Sequence, residues 1–339
     1  MSRYRILALF AALIALATAF AACGGGGSDD PKTVVDEATL QGIESGNVDL
    51  SLGIDVKGRE GGHVDVSLVG PFQSESERQL PELDMTAAAK GTVGGERVDF
   101  EGGLTLLGSK AYVNYEGTEY EVDPTTFEFV RSLVQRQGGG QKQSTDVTAC
   151  QEAVSELKVG DFVDNLSDEG SADVGGTGTS KVSGDLDASG AIDALIELTE
   201  DPACSEQLSA ASPLPSTAEL DRAKSTVQEA VKAAPVELYV GDDHIVRRVA
   251  AQVTIEPPKG SDSEGTKSVE LDFDLTLTGV NEEQTISAPQ RSKPLSDLFL
   301  KLGINPIELL GLLEGQGGKG GPGGLNGLLE GLSGAGSPQ

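Results

Sequence analysis

The chain has 339 residues, with 54 acidic against 25 basic side chains and a formal charge of −29. This balance excludes a nucleic-acid partner, because phosphate binding needs a basic footprint, and it sets the domain against anionic lipid headgroups. Aromatic residues make up only 4% and tryptophan is absent, so the core must be built from Val, Leu, Ile and Ala.

In chain order the first element is a targeting segment. Arg3 and Arg5 precede an apolar run from Ile6 to Ala22, interrupted only by Thr18, and Ala21 and Ala22 lead directly into Cys23. A charged start, an apolar run and small residues at the cut are the order of a secretory signal, and the run is short for a spanning helix of about 20 residues. Residues 1–22 are therefore read as a signal peptide, cleaved before Cys23, whose thiol then carries lipid. The segment resembles the lipobox of bacterial lipoproteins through Ala21-Ala22-Cys23, departing from it at Phe20, where leucine is commonest. An ordinary signal with an incidental cysteine is the alternative. Diacylglycerol supplies two acyl chains, which is what stable attachment requires. The expected product is exported and lipid-anchored to the cell membrane on its extracytoplasmic face. Without Arg3 and Arg5 the mature chain holds 23 basic against 54 acidic residues, a charge of −31. Residues 23–36, opening with four glycines after Cys23, read as a flexible tether.

Residues 37–302 are the folded domain. Asn47–Lys57 places Val48, Leu50, Leu52, Ile54 and Val56 on one side and Asp49, Ser51, Asp55 and Lys57 on the other. The same period of two runs through Val64 to Leu68, Leu83 to Ala89, Val98 to Leu106, Ala111 to Tyr115 and Tyr120 to Val122. Breaks at Gly61-Gly62, Gly94-Gly95 and Gly108 read as hairpin turns. A further pair is expected at Ser171–Val174 and Thr177–Leu186. Sheet patterning returns at Val236–Val240, Val249–Ile255 and Val269–Leu277. Between the sheet blocks, helical spacing is read over Pro124–Gln137, Ala149–Leu157, Ser189–Glu200 and Thr217–Ala234. The last has a capping box at Ser216 and Glu219, a stripe of Leu220, Ala223, Val227, Val231 and Ala234, and Pro235 as its stop.

Strict alternation means one apolar and one solvated sheet face. The fold class expected is α+β: a large curved antiparallel sheet, a half-barrel, with helices packed over its apolar concave face. Cys150 and Cys204 remain once Cys23 is lipidated, and an exported chain tends to avoid free thiols, so they are read as a disulfide. It would close a loop of 53 residues. Two buried free thiols are the alternative.

Four stretches stand out: Asp173-Val174-Gly175-Gly176-Thr177 running on to Asp187, Gly108-Ser109-Lys110-Ala111-Tyr112-Val113, Val236 to Val249, and the closing Ile286-Ser287-Ala288-Pro289. They resemble the LolA/LolB-like lipid-carrier lipoproteins, most closely the actinobacterial LppX/LprG type, in which a last strand often closes the domain as Ile286–Pro289 would here. The resemblance covers residues 40 to 289. It implies a half-barrel with a helical lid, an acyl-chain cavity between them, and no catalytic residues.

Chemistry is sparse elsewhere. His63 and His244 have no Cys, Asp or Glu at a familiar metal spacing, no G-x-S-x-G elbow occurs, and Gly138-Gly139-Gly140-Gln141-Lys142 lacks the spacing of a phosphate loop. Asp29-Asp30 and Asp242-Asp243 read as solvated charge. No metal, no cofactor and no enzyme activity are expected. Residues 303–339 are rich in Gly and Leu, with Gly311-Leu312-Leu313-Glu314-Gly315 repeated as Gly327-Leu328-Leu329-Glu330-Gly331. The composition reads as disordered, either a passive tail or a set of sticky points for a partner or a bilayer. The expected function is binding or carrying a lipid or other acyl-chain ligand as a monomer. The lining residues would be Leu52, Ile54, Leu104, Leu106 and Val113 from the sheet, and Leu133, Val227 and Val231 from helices. A structural or protein-interaction envelope lipoprotein with a filled core is the alternative.

Overall fold

The computed structural model describes residues 30–59, 61–74, 80–128, 131–132, 162–190, 192–193, 196, 204, 224, 226–258 and 265–303. Long alternating segments give long strands: β1 Ser45–Gly58, β2 Gly62–Gln73, β3 Glu82–Val93 and β4 Glu96–Leu107, then the shorter β5 Lys110–Tyr115 and β6 Thr118–Glu121. The second block holds β7 Val163–Val174, β8 Thr177–Leu186, β9 Val231–Ala233, β10 Pro235–Gly241, β11 Val246–Ile255 and β12 Thr266–Thr278, and β13 is Lys293–Pro294. Among the described residues, helices α1 Pro31–Glu37 and α2 Leu295–Leu302 flank them in the chain.

The thirteen strands of the described residues form one sheet, ordered β13-β6-β5-β4-β3-β2-β1-β12-β11-β10-β8-β7, with β9 beside β11. The sheet is open and curved, a half-barrel, and its neighbours are antiparallel except β13 and β6. Its two halves meet where β1 pairs β12 from Asn47↔Thr278 to Gly58↔Thr266. Two glycines mark where neighbouring strands approach most closely. A Cβ on Gly70 (φ +153) would stand 1.9 Å from the Asp84 carbonyl oxygen, and one on Gly91 (φ +153) 1.9 Å from that of His63. Strands β2 and β3 approach so closely there that only glycine fits, which is how a long sheet is made to bend.

The core sits on the β7–β8–β10–β11 half. Val35 of α1, at 0% exposure, joins Val163, Val182, Val236, Leu238, Val240, Val246 and Val249 in one buried cluster. Three local features hold α1 in place. Pro31 opens it, Asp30 caps it by accepting the Lys32 N–H at 3.2 Å, and Glu37 lies 3.4 Å from His244 in the β10–β11 turn. The tether expected over residues 23–36 therefore overlaps the folded unit, because Val34 and Val35 have an apolar surface to bury against.

Two further expectations are corrected. The helix read over Thr217–Ala234 ends at Ala230, and Val231 lies in strand β9. The cause is an open edge. Strand β10 pairs β11 only from Val246 to Ala251, leaving Thr254 and Ile255 free to bond Ala233 and Val231. Ile286-Ser287-Ala288-Pro289 forms no strand. The preceding chain is held by side chains instead: the Gln284 N–H donates to Gln73 at 2.8 Å, and its amide to the Gly279 carbonyl at 3.1 Å. Cys23, Leu133, Cys150, the helix read at Ala149–Leu157 and the segment from residue 304 lie outside the described residues.

Candidate ligand-binding face

Cross-strand register turns the alternation of single strands into continuous apolar rows. One row runs Phe273, Leu52, Val66, Ala89, Phe100 across β12, β1, β2, β3 and β4. The next runs Leu275, Leu50, Leu68, Ala87, Gly102, Tyr115. A third runs Met85, Leu104, Val113, Tyr120 toward the β6 edge. Directly opposed residues of an antiparallel pair point to the same face, so these rows form one apolar surface from β12 to β6.

The two ends of that surface differ. On the β8–β12 half it is covered: Val182 and Leu238 are each 1% exposed, and Ala234, Val253 and Leu271 form a second buried cluster with Ile54, Val231 and Ile255 packed against it. On the β2–β4 half it is open. Val66 keeps 38% of its surface exposed, Phe100 41% and Leu104 42%. Small residues of β3, Ala87, Ala89 and Gly91, lie between the larger side chains of β2 and β4. The floor of the face is thus a shallow trough along β3. The Phe100 ring leans over Gly102, its Cζ only 2.9 Å from where a Cβ would stand. Single apolar residues at a surface are ordinary; here three of them share one face by register.

Of the residues expected to line a ligand site, Leu52, Leu104, Leu106 and Val113 share this face by register. Ile54 belongs to the covered half. Val227 is a half-buried helical residue, and Val231 packs from a strand rather than a helix. Val66 and Phe100 were not among the expected liners although both carry the right parity; their exposure, which depends on what lies above them, is visible only in the fold.

The opposite face carries the charge. Lys181 pairs with Glu237 at 2.8 Å, the Tyr239 hydroxyl donates to Glu237 at 2.8 Å, and the Arg248 Nε donates to Asp274 at 2.9 Å. Lys181 and Arg248 also stand 5.4 and 5.1 Å from the centre of the Tyr239 ring, within cation–π range. The Lys181 hydrogen bond holds the Glu237 carboxyl below the usual range against some burial, and the Tyr239 hydroxyl adds to it. Burial is the largest single influence on Asp243 and works to raise it, but the Arg247 hydrogen bond, the Ile245 N–H and the Arg247 charge together lower it. Asp243 therefore anchors the β10–β11 hairpin rather than lying free in solvent, as Asp30 caps α1. His63 lies among Asp55 and Asp65, at 3.8 and 2.8 Å. Among the described residues no group of three or more His, Cys, Asp and Glu side chains is placed to hold a metal ion. None of the described helices is long and apolar enough to cross a membrane.

No family model and no curated protein matches this chain. Solved structures do. LprF from Mycobacterium bovis aligns over 78% of this chain and 99% of its own, at 14% identity and a TM-score of 0.31. The lipoprotein LppX of Mycobacterium tuberculosis aligns over 76% and 98%, at 14% identity and a TM-score of 0.25. Lipovitellin aligns over 75% of this chain and 27% of its own, at 9% identity and a TM-score of 0.28.

Proposed function

We propose that this protein is a membrane-anchored extracytoplasmic lipoprotein that binds or carries an acyl-chain ligand on the open half of its apolar sheet face. The observation that carries this reading is the exposure of Val66, Phe100 and Leu104 on an apolar face whose other half is buried under packed side chains. Hydrocarbon laid along the β3 trough gains about 0.8 kcal/mol per methylene removed from water, so a long chain binds well with few polar contacts. No catalytic group is needed for such a role. The anchor is lipid on Cys23 after removal of residues 1–22. Incorporation of labelled fatty acid by the wild type and its absence in Cys23→Ala is the result expected; equal labelling refutes the anchor. A Cys150–Cys204 disulfide, supported by the complete burial of Cys204, is expected to leave neither thiol reactive in the unreduced, denatured protein.

The test of the ligand is organic extraction of the purified full chain followed by mass spectrometry. Stoichiometric lipid is expected from the wild type and is lost from Ala87→Trp, which places a ring in the trough. A clean extract, together with no uptake of an added fluorescent fatty acid, refutes the carrier and leaves an envelope interaction protein.

A further inference from the structure

Helix α2 brings the chain to the rim of the open face. Lys301 of α2 stands 5.0 Å from the centre of the Tyr115 ring and pairs with Glu116 at 2.5 Å. Tyr115 lies in the row of Gly102, Ala87 and Leu68. Tyr120, the register partner of Val113, also acts on Lys301 and helps to raise its pKa, although the Glu116 hydrogen bond is the main cause. The Lys301 ammonium near the C-terminal end of α2 thus stands beside the β5 end of an apolar-face row. Gly303, in the left-handed conformation at φ 68, ends the helix there, as glycine commonly does. Leu300, 79% exposed, adds apolar surface at the same exit.

We propose that residues 304–339 dock on this face: their leucine clusters occupy the open trough when it is empty and compete there with the acyl chain. The regulation rests on the reading that the face binds acyl chains. Length permits it. Strands β5 to β2 span about 14 Å, and Leu309 reaches up to roughly 20 Å beyond Gly303 when the chain is extended. Chemistry permits it as well. The repeated Gly-Leu-Leu-Glu-Gly units, with Leu312, Leu313, Leu328 and Leu329, offer short aliphatic groups that suit an aliphatic trough. The flanking glycines lose much freedom on docking, which keeps the cover weak enough for a ligand to displace.

The test uses the full chain in two forms. In the first, Phe100 is replaced by the photoreactive p-benzoylphenylalanine; crosslinks map to peptides within 304–339. In the second, Leu312, Leu313, Leu328 and Leu329 are changed to serine. A fluorescent fatty acid then binds about tenfold more tightly than to the wild type, because an occupied site lowers apparent affinity by the fraction left competent. Crosslinks to any other segment, to a second copy, or to nothing overturn the docking, and an unchanged probe affinity overturns the competition. If the probe binds neither form while the tail crosslink is present, the acyl-chain reading fails and the docking stands.

Discussion

Replacing Ala89 with phenylalanine separates an open face from a filled core by the sign of the effect. Ala89 on β3 stands opposite Val66 on β2 and Phe100 on β4, the two neighbours that keep 38% and 41% of their surface exposed. In a packed interior, adding a ring at an alanine costs about 1–3 kcal/mol through displaced side chains and backbone. Over an open trough the new ring displaces nothing. It forms an aromatic cross-strand pair with Phe100 worth roughly 0.2–1 kcal/mol, so stability stays level or rises. The same ring fills the trough, and affinity for a fluorescent fatty acid falls at least about tenfold. Urea unfolding of the delipidated protein measures the first effect; bound lipid must be removed because a ligand held only by the native state adds stability of its own. A loss of more than about 1 kcal/mol with unchanged probe binding refutes the open face and the function built on it.

At the other end of the sheet, Leu238→Ala removes a side chain that is only 1% exposed and costs about 2–5 kcal/mol, read as a lower urea midpoint. Gly70→Ala cannot be accommodated without moving β3, since its Cβ would lie 1.9 Å from the Asp84 carbonyl oxygen. Its destabilisation exceeds the roughly 1 kcal/mol typical of substitutions, and a stability equal to wild type excludes the close approach. Glu237 and Asp187 titrate below the ordinary carboxylate range, Glu237 because of the Lys181 hydrogen bond and Asp187 because of that from Ser189. A depressed folded pKa adds stability that is complete above the unfolded value, about 4, and is lost as pH falls through the folded one. Stability should therefore decline on acidification below about pH 4, and Glu237→Gln should flatten that decline in midpoints measured between neutral and acid pH.

The sequence by itself determined the strands and which side chains share a face, because a period of two is a local property of an extended chain. Val48 to Val56 and Val269 to Leu277 can be read as two half-buried strands with no knowledge of each other. Hairpin turns at Gly94-Gly95, Gly108 and Gly175-Gly176 were legible for the same reason: their neighbours are near in sequence. Tertiary structure decided the rest. The pairing of β1 with β12 joins residues more than 200 positions apart, and only that pairing makes one continuous surface from two blocks. Val231 has helical neighbours in sequence, yet it became a strand residue because β11 offered an unpaired edge. Pro31–Asp36 reads as tether in the sequence, and in the fold Val35 packs on the apolar surface of β8 and β10. The candidate site divides in the same way. Alternation marked Leu52, Leu104, Leu106 and Val113 as apolar-facing, but exposure depends on what lies above a face. That distinction packs the half-buried Ile54 against the second cluster and leaves Val66 and Phe100 exposed.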